Sequence, residues 1–284
     1  SETSTLAPGI IQNIKKATSA DNKQMVYYTV TADLSRDDVE VYANYKNNDP
    51  TVWGMQTVLG QATAAQNKYG DPESEHYIEN YNVIASVNGD GYNMSTGEPG
   101  GLLVMNGQEY HKIDANGFFG ILKDGTAVIG TMKEYNTIYK DKVRDGIGGF
   151  GTSLIEDGKI SIAATSNYYE CRHSRTAVGI TRTGKVVFMV LDGRQEPVSC
   201  GGSMIEIAQI MYEAGCVHAI NLDGGGSTTY VARPEGEESL RVVNRPSDGT
   251  SRSVSTSLLM VSTAPSSTAF DHAIIESETD FLTK

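Results

Sequence analysis

The chain has 284 residues, 39% hydrophobic and 20% charged, with a formal net charge of −12. That length allows one large globular domain or two. The acidic excess excludes nucleic-acid binding as the main task, because a phosphate backbone needs clustered Lys and Arg. No stretch approaches the roughly 18 consecutive apolar residues of a membrane-spanning helix, so no transmembrane segment is expected.

Residues 1–22 read as a polar N-terminal leader. A start at Ser1 without Met fits a removed secretory signal and equally a sequence cut at a chosen boundary; with the acidic surface, a secreted or cell-envelope location is the expectation, and a compact chain without cysteine-rich appendages points to bacterial origin. Residues 25–31 and 39–42 then read as strands. Asp49-Pro50 supplies an N-cap followed by proline at the first helical position. Trp53, Met55, Val58, Leu59, Ala62 and Ala65 form the buried stripe of the expected helix, which ends at Gly70-Asp71-Pro72. Residues 81–87 form a strand that runs into Asn88-Gly89-Asp90-Gly91-Tyr92, where polar and glycine residues crowd a buried strand's end. From 101 to 182 short strands alternate with turns. Asn106-Gly107, Asp124-Gly125, Asp157-Gly158 and Thr183-Gly184 each sit between short apolar or β-branched runs, and the first three are hairpin signals. The letters of G-x-G-x-x-G at 146–151 are followed by strand and turn, not the helix a dinucleotide site requires.

The centre of the chain is residues 186–230. Val186-Val-Phe-Met-Val-Leu191 is a continuous apolar run, the pattern of a strand buried on both faces, and it stops at Asp192-Gly193-Arg194. Ser203 and Glu206 form a capping box, Ile207, Ile210, Met211 and Ala214 continue at helical period, and Gly215 terminates. Residues 217–222 are the next strand, which stops at Asp223-Gly224-Gly225-Gly226-Ser227. A strand-helix-strand unit of this length normally joins parallel strands, so Asp192 and Asp223 are expected at one sheet edge, where α/β folds bind ligands. Three glycines in a row imply a sharp turn or a close approach to the backbone.

Strands at 228–231, 240–243 and 255–261 follow, with the polar turn 244–252 carrying two arginines, and residues 263–284 form an acidic tail with one short amphipathic segment (270–275). The expected fold class is α+β in a single domain over 23–262: a mixed β-sheet with a βαβ unit at 186–222 carrying the site, plus antiparallel hairpins. Cys171 and Cys200 are the pair placed for a disulfide in an exported chain, with three buried thiols as the alternative. No zinc motif is present, and His173, beside Arg172 and Arg175, borders the candidate site. No cofactor is required; calcium held by Asp and backbone oxygens is left open, without EF-hand spacing.

RTAVGI from Arg175, LDGRQ from Leu191, a helix, NLDGGGSTT from Asn221 and NRPSDGTSR from Asn244 follow one another in an order that resembles the phosphodiester glycosidase family. The resemblance covers roughly residues 83–261. It departs at the first turn, where Asn88-Gly89-Asp90-Gly91-Tyr92-Asn93 replaces an N-G-x-[YF]-F pattern. The resemblance implies hydrolysis of a sugar joined through its anomeric carbon to a phosphodiester, such as N-acetylglucosamine, giving free sugar and a phosphomonoester. Such chemistry generally uses two carboxyl groups, for which Asp192 and Asp223 are the candidates, with Arg175 as a third catalytic residue. Arg175, Arg194 and Arg252 are placed to hold phosphate oxygens. Asn88 and Asn221 are candidates for sugar hydroxyls, the amides of Gly224, Gly225, Gly226 and Ser227 for further donors, and Gly89, Asp90 and Gly193 for the remaining substrate contacts. Two other classes stay open: a glycosidase acting on a phosphate-free glycan, and a carbohydrate-binding envelope protein without chemistry. The two aspartates also have a plain reading as turn caps.

Overall fold

The structure, a computed structural model, describes residues 1–151, 153–161, 164 and 171–265. An eight-stranded sheet has the spatial order Glu2–Ala7, Ile10–Thr18, Gln24–Ala32, Val186–Leu191, Arg175–Thr181, Cys216–Asn221, Ser153–Glu156, Lys159–Ile160. A first five-stranded sheet holds Arg241–Val242, Tyr230–Ala232, Asn82–Asn88, Ser257–Ser262 and Val39–Asn44. A second holds Ala127–Thr131, Gly117–Leu122, Val143–Gly148, Leu103–Met105 and Gln108–His111.

Alternation of side chains explains how these sheets pack. In Val186–Leu191, Val186, Phe188 and Val190 enter a central core with residues of both five-stranded sheets, including Ile84, Val87, Phe119, Ile147 and Met260. Val187, Met189 and Leu191 point the other way, onto Met204, Ile207, Ala208 and Met211 of the helix Met204–Glu213. The strand is therefore apolar throughout because both of its faces are covered. The helix begins where the sequence predicts. The Ser203 hydroxyl accepts from the Glu206 amide, the Glu206 carboxylate accepts from the Ser203 amide, and Gly215 follows at φ +86°. The three expected hairpin turns form and Thr183-Gly184 makes a fourth, with φ between +75° and +87° at Gly107, Gly125, Gly158 and Gly184.

Several expectations need correction. Among the described residues every strand ladder is antiparallel, so the large sheet is not mixed. Val186–Leu191 and Cys216–Asn221 run the same way but do not pair, because Arg175–Thr181 lies between them, antiparallel to both. The tight Thr183-Gly184 turn pairs Arg175–Thr181 with Val186–Leu191 before the helix crosses, and the returning strand docks on the far side. The supposed leader is a hairpin: Glu2–Ala7 and Ile10–Thr18 extend the sheet edge, their polarity reflecting a position where few alternate side chains are buried. The first helix runs Val58–Gly70, starting eight residues after Pro50. Thr57 accepts from the Gly60 amide as N-cap, and Gln56–Thr57 pairs with Ser253–Val254. Trp53 instead packs edge-on against Tyr45. Val58, Ala62 and Ala65 do form its buried stripe. The segment 270–275 lies outside the described residues, as does the tail beyond 265. All three cysteines are free thiols, Cys171 exposed and the other two buried. Among the described residues no helix is long and apolar enough to cross a membrane.

Candidate active site

The antiparallel register brings one edge of the large sheet together. Arg175 opens its strand opposite Leu191, and Ala177 lies opposite Asn221, so the start of one strand meets the ends of its two neighbours. The end of Asn82–Asn88, from a different sheet, is fastened to the same edge. The Asn88 amide donates to the Asp223 carbonyl at 2.8 Å, and the Asp223 N–H donates to the Gly89 carbonyl at 3.0 Å. Asn88 Oδ1 accepts from the Thr176 hydroxyl (2.7 Å) and the Thr229 N–H (3.1 Å). Its side chain is thus committed to holding backbone in place.

A cleft of about 710 Å³ opens at this edge. Arg175, Arg194 and Arg252 line it, with Asp223, Asn221, His173 and the glycines 224–226. Arg175 donates to two carbonyls, Gly202 at 2.9 Å and Cys171 at 2.7 Å, and among the described residues no carboxylate pairs with it. Burial holds its guanidinium down at about 10. A half-buried cation satisfied only by carbonyls is a strong attractor for an anion in the cleft. Arg194 has φ +59° and donates to His173 Nδ1 at 3.3 Å. A non-glycine residue in the left-handed region costs about 1 kcal/mol, and such strain concentrates at functional sites. Burial, together with Arg175 and Arg194, lowers the His173 pKa and favours its neutral form. Arg252 pairs with Asp248 at 2.7 Å.

Asp223 accepts from the Gly224 N–H at 2.9 Å. Burial raises its pKa above the ordinary carboxylate value, opposed in part by the Ser227 hydroxyl, the Gly224 amide and Arg252. It is the one carboxyl group among the described residues that lines the cleft. The glycine triplet is explained by what lies against it. A side chain at Gly224 would meet the Ser174 carbonyl, Gly225 stands at φ +61° beneath the Arg194 guanidinium, and a Cβ at Gly226 would collide with the Arg252–Asp248 pair. Two arginines lie close on the loop, which only glycine permits.

Not every expected site residue reaches the wall. Asp192 is 1% exposed, and its carboxylate accepts from Tyr28 Oη (3.2 Å), Asn244 Nδ2 (3.0 Å) and the Arg245 N–H (3.0 Å). It anchors the 244–252 loop to the sheet and does not line the cleft. Asp90 is 3% exposed and lies behind the wall. Gly89 and Gly193 make close backbone packing, Gly193 against Ser174 and Gly201, and Ser227 is buried. The amides of Gly224, Gly225 and Ser227 already donate to Asp223, Ser174 and Gly224, so those three are not held out to a substrate. Asn221 does line the cleft: its amide donates to the Phe150 carbonyl at 2.7 Å and its buried Oδ1 has no partner.

Sequence reasoning overlooked Phe150, Asn116 and Met204 on the cleft wall. Phe150 is 47% exposed, packs its ring against Gly91, and is held at its backbone by Asn221. An aromatic set in the glycine run 146–151 was the available signal. Among the described residues no three His, Cys, Asp or Glu side chains come together as metal ligands.

A family model described as phosphodiester glycosidase matches residues 81–261. A prophage-derived uncharacterized protein of Bacillus subtilis is 27% identical over 278 residues, covering 87% of this chain and 42% of that protein. The Bos taurus N-acetylglucosamine-1-phosphodiester alpha-N-acetylglucosaminidase is 33% identical over 161 residues, covering 51% of this chain and 30% of that one. The chain therefore spans less than half the length of these relatives. In fold it is similar to the catalytic domain of the zebrafish enzyme of that name, auto-inhibited by its pro-peptide. The TM-score is 0.67 at 23% identity, over 91% of this chain and 87% of that one.

Proposed function

This chain belongs to the phosphodiester glycosidase family, and from that membership we propose that it hydrolyses a sugar-1-phosphodiester, releasing free sugar and a phosphomonoester. The observation that carries the reading is Arg175, a half-buried cation without a carboxylate partner among the described residues, in the same cleft as the one lining carboxyl group, Asp223. A plain glycosidase has no need of that cation. A phosphodiester does, since its leaving group departs with charge on phosphate oxygens and requires little protonation.

In this reading the phosphate lies against Arg175, with Arg194 and Arg252 beside it. Asp223, whose raised pKa makes it a stronger base than an exposed aspartate, takes a proton from water as the water attacks the anomeric carbon. The new bond joins C1 to the water oxygen. The C1–O bond to phosphorus breaks, and its electron pair leaves with the phosphomonoester. Asn221 Oδ1 accepts from a sugar hydroxyl, and the Phe150 ring offers an apolar face to the sugar. N-acetylglucosamine is the first sugar to try, because the bovine relative's name specifies it.

The test is release of sugar from N-acetylglucosamine-1-phospho-methyl diester, alongside an aryl N-acetylglucosaminide without phosphate. Turnover of the diester alone supports the reading. Equal turnover of both would reassign the arginines to structure, and saturable sugar binding without any turnover across a panel of diesters would make the chain a binding module.

A further inference from the structure

Asp90 is a buried carboxyl group that the proposed reaction does not use. It is 3% exposed, and its Oδ1 accepts from the Gly91 N–H at 2.6 Å. Its Oδ2 is buried without a hydrogen-bond partner, pressed against Gly101 and Gly148, where no Cβ would fit beside it. No cation pairs with it among the described residues. The charged group that acts on it is Asp223, of like sign, from the glycine loop. The Gly148 strand end and Thr256, whose hydroxyl accepts the Asp90 N–H, bring no titratable side chain; the Gly101 turn carries the His111 ring, whose Nδ1 is 2.6 Å from the Gly101 carbonyl, and the Asp223 charge acts on Tyr92. A buried carboxyl group with no counter-charge is held in its neutral form, and leaving one oxygen unpaired costs stability. The backbones of the two aspartates are also joined, through Asp223 N–H to Gly89 C=O and Asn88 Nδ2 to Asp223 C=O.

We propose that Asp90 is a positioning residue for Asp223: held as a neutral acid behind the cleft wall, it leaves Asp223 as the sole negative charge there, and its ionisation shuts the site down on the alkaline side. The inference rests on the proposed function, since Asp223 is its reporter. Losing the Asp90 proton to solvent places a second negative charge beside Asp223 and behind the phosphate site, which disfavours an anionic substrate. Burial first, with Asp223 adding to it, pushes the Asp90 carboxyl up to about 8, which locates the alkaline limb.

The experiment is the pH profile of kcat/KM on N-acetylglucosamine-1-phospho-methyl diester for wild type and Asp90→Asn. Wild type should decline around the pH where Asp90 ionises. Asp90→Asn, whose amide imitates the neutral acid, should stay active below that pH and have its alkaline limb moved up by about one unit or more. An unmoved limb would overturn the proposal and assign the decline to another group, such as Tyr92 or Arg175. Loss of activity at every pH with native melting would overturn it too, by placing Asp90 in the chemistry.

Should wild type hydrolyse no diester, the proposed function fails, but the ionisation state of Asp90 is still decided by two measurements. A carboxyl group that titrates higher when folded stabilises the fold below its ordinary 3.8, and that contribution is lost as the pH climbs to about 8. Asp90→Asn should therefore gain in melting temperature over wild type as the pH rises across that window. In wild type, the ¹³C carboxyl resonance absent from Asp90→Asn should titrate near 8. A constant melting difference, or a resonance titrating near 4, sinks the neutral acid.

Discussion

Asp192 and Asp223 each follow a buried strand of one sheet, both strands run the same way, and each aspartate precedes a glycine, yet their surroundings differ completely. Asp192 receives hydrogen bonds from Tyr28, Asn244 and Arg245, groups far away in the chain, and is sealed from solvent. Asp223 receives the amide of the next residue, Gly224, and stays open to the cleft with three arginines around it. A carboxylate fully occupied by fixed donors holds structure together. One left open in a cleft that also holds Arg175 and Arg194, two cations without a carboxylate partner among the described residues, is available for chemistry. Nothing local in Asp-Gly distinguishes the two; the donors that decide come from elsewhere in the fold.

Removing the carboxylate at each aspartate, by amide at Asp223 and by truncation at Asp192, probes this contrast most strongly. Asp223→Asn should lower kcat by about 10³-fold or more, in line with loss of a base, while shifting the melting temperature by only a few degrees. Asp192→Ala should do the reverse. Three buried donors lose their acceptor, at about 2–4 kcal/mol in urea unfolding, while the folded fraction keeps kcat/KM within several-fold. Loss of turnover in Asp192→Ala with unchanged stability would erase the distinction.

Smaller effects sharpen the picture of the cleft. Arg175→Gln should reduce kcat/KM on the diester by about 10²-fold and leave any aryl glycosidase background untouched, which steady-state kinetics on both substrates would reveal. Gly226→Ala displaces the Arg252–Asp248 pair from the loop, and a rise in KM of about tenfold with little change in kcat is expected. A lowered kcat would mean that the loop positions Asp223 as well as Arg252.

What the sequence disclosed and what it hid follow from the range of the interactions involved. The capping box at Ser203 and Glu206, the glycine turns and the two-faced strand 186–191 are set by neighbouring residues, and the structure has them. The insertion of Arg175–Thr181 between two like-directed strands depends on its pairing with both neighbours, one of them distant in sequence, and periodicity carries no record of that. The N-terminal hairpin reads as a leader because an edge strand needs few apolar residues. The first helix is expected too early because Asp49-Pro50 has helix-start chemistry, whereas the chain after it is drawn into a two-residue ladder. At the site, Arg175, Arg194, Arg252, Asn221 and Asp223 are identifiable as polar residues at strand ends. Asn88 and Asp192 share that pattern but turn inward, and Phe150 enters from a separate sheet.

Hydrolysis in ¹⁸O-enriched water tests the central claim most directly, with the label read by mass spectrometry in the phosphomonoester, because a free sugar exchanges its anomeric oxygen with solvent. If water attacks the anomeric carbon, the phosphomonoester carries no ¹⁸O, and the three arginines serve as the cradle of a leaving group. An ¹⁸O atom on phosphorus would show that the cleft cleaves the P–O bond instead, and Asp223 would not be the base that delivers water to the anomeric carbon.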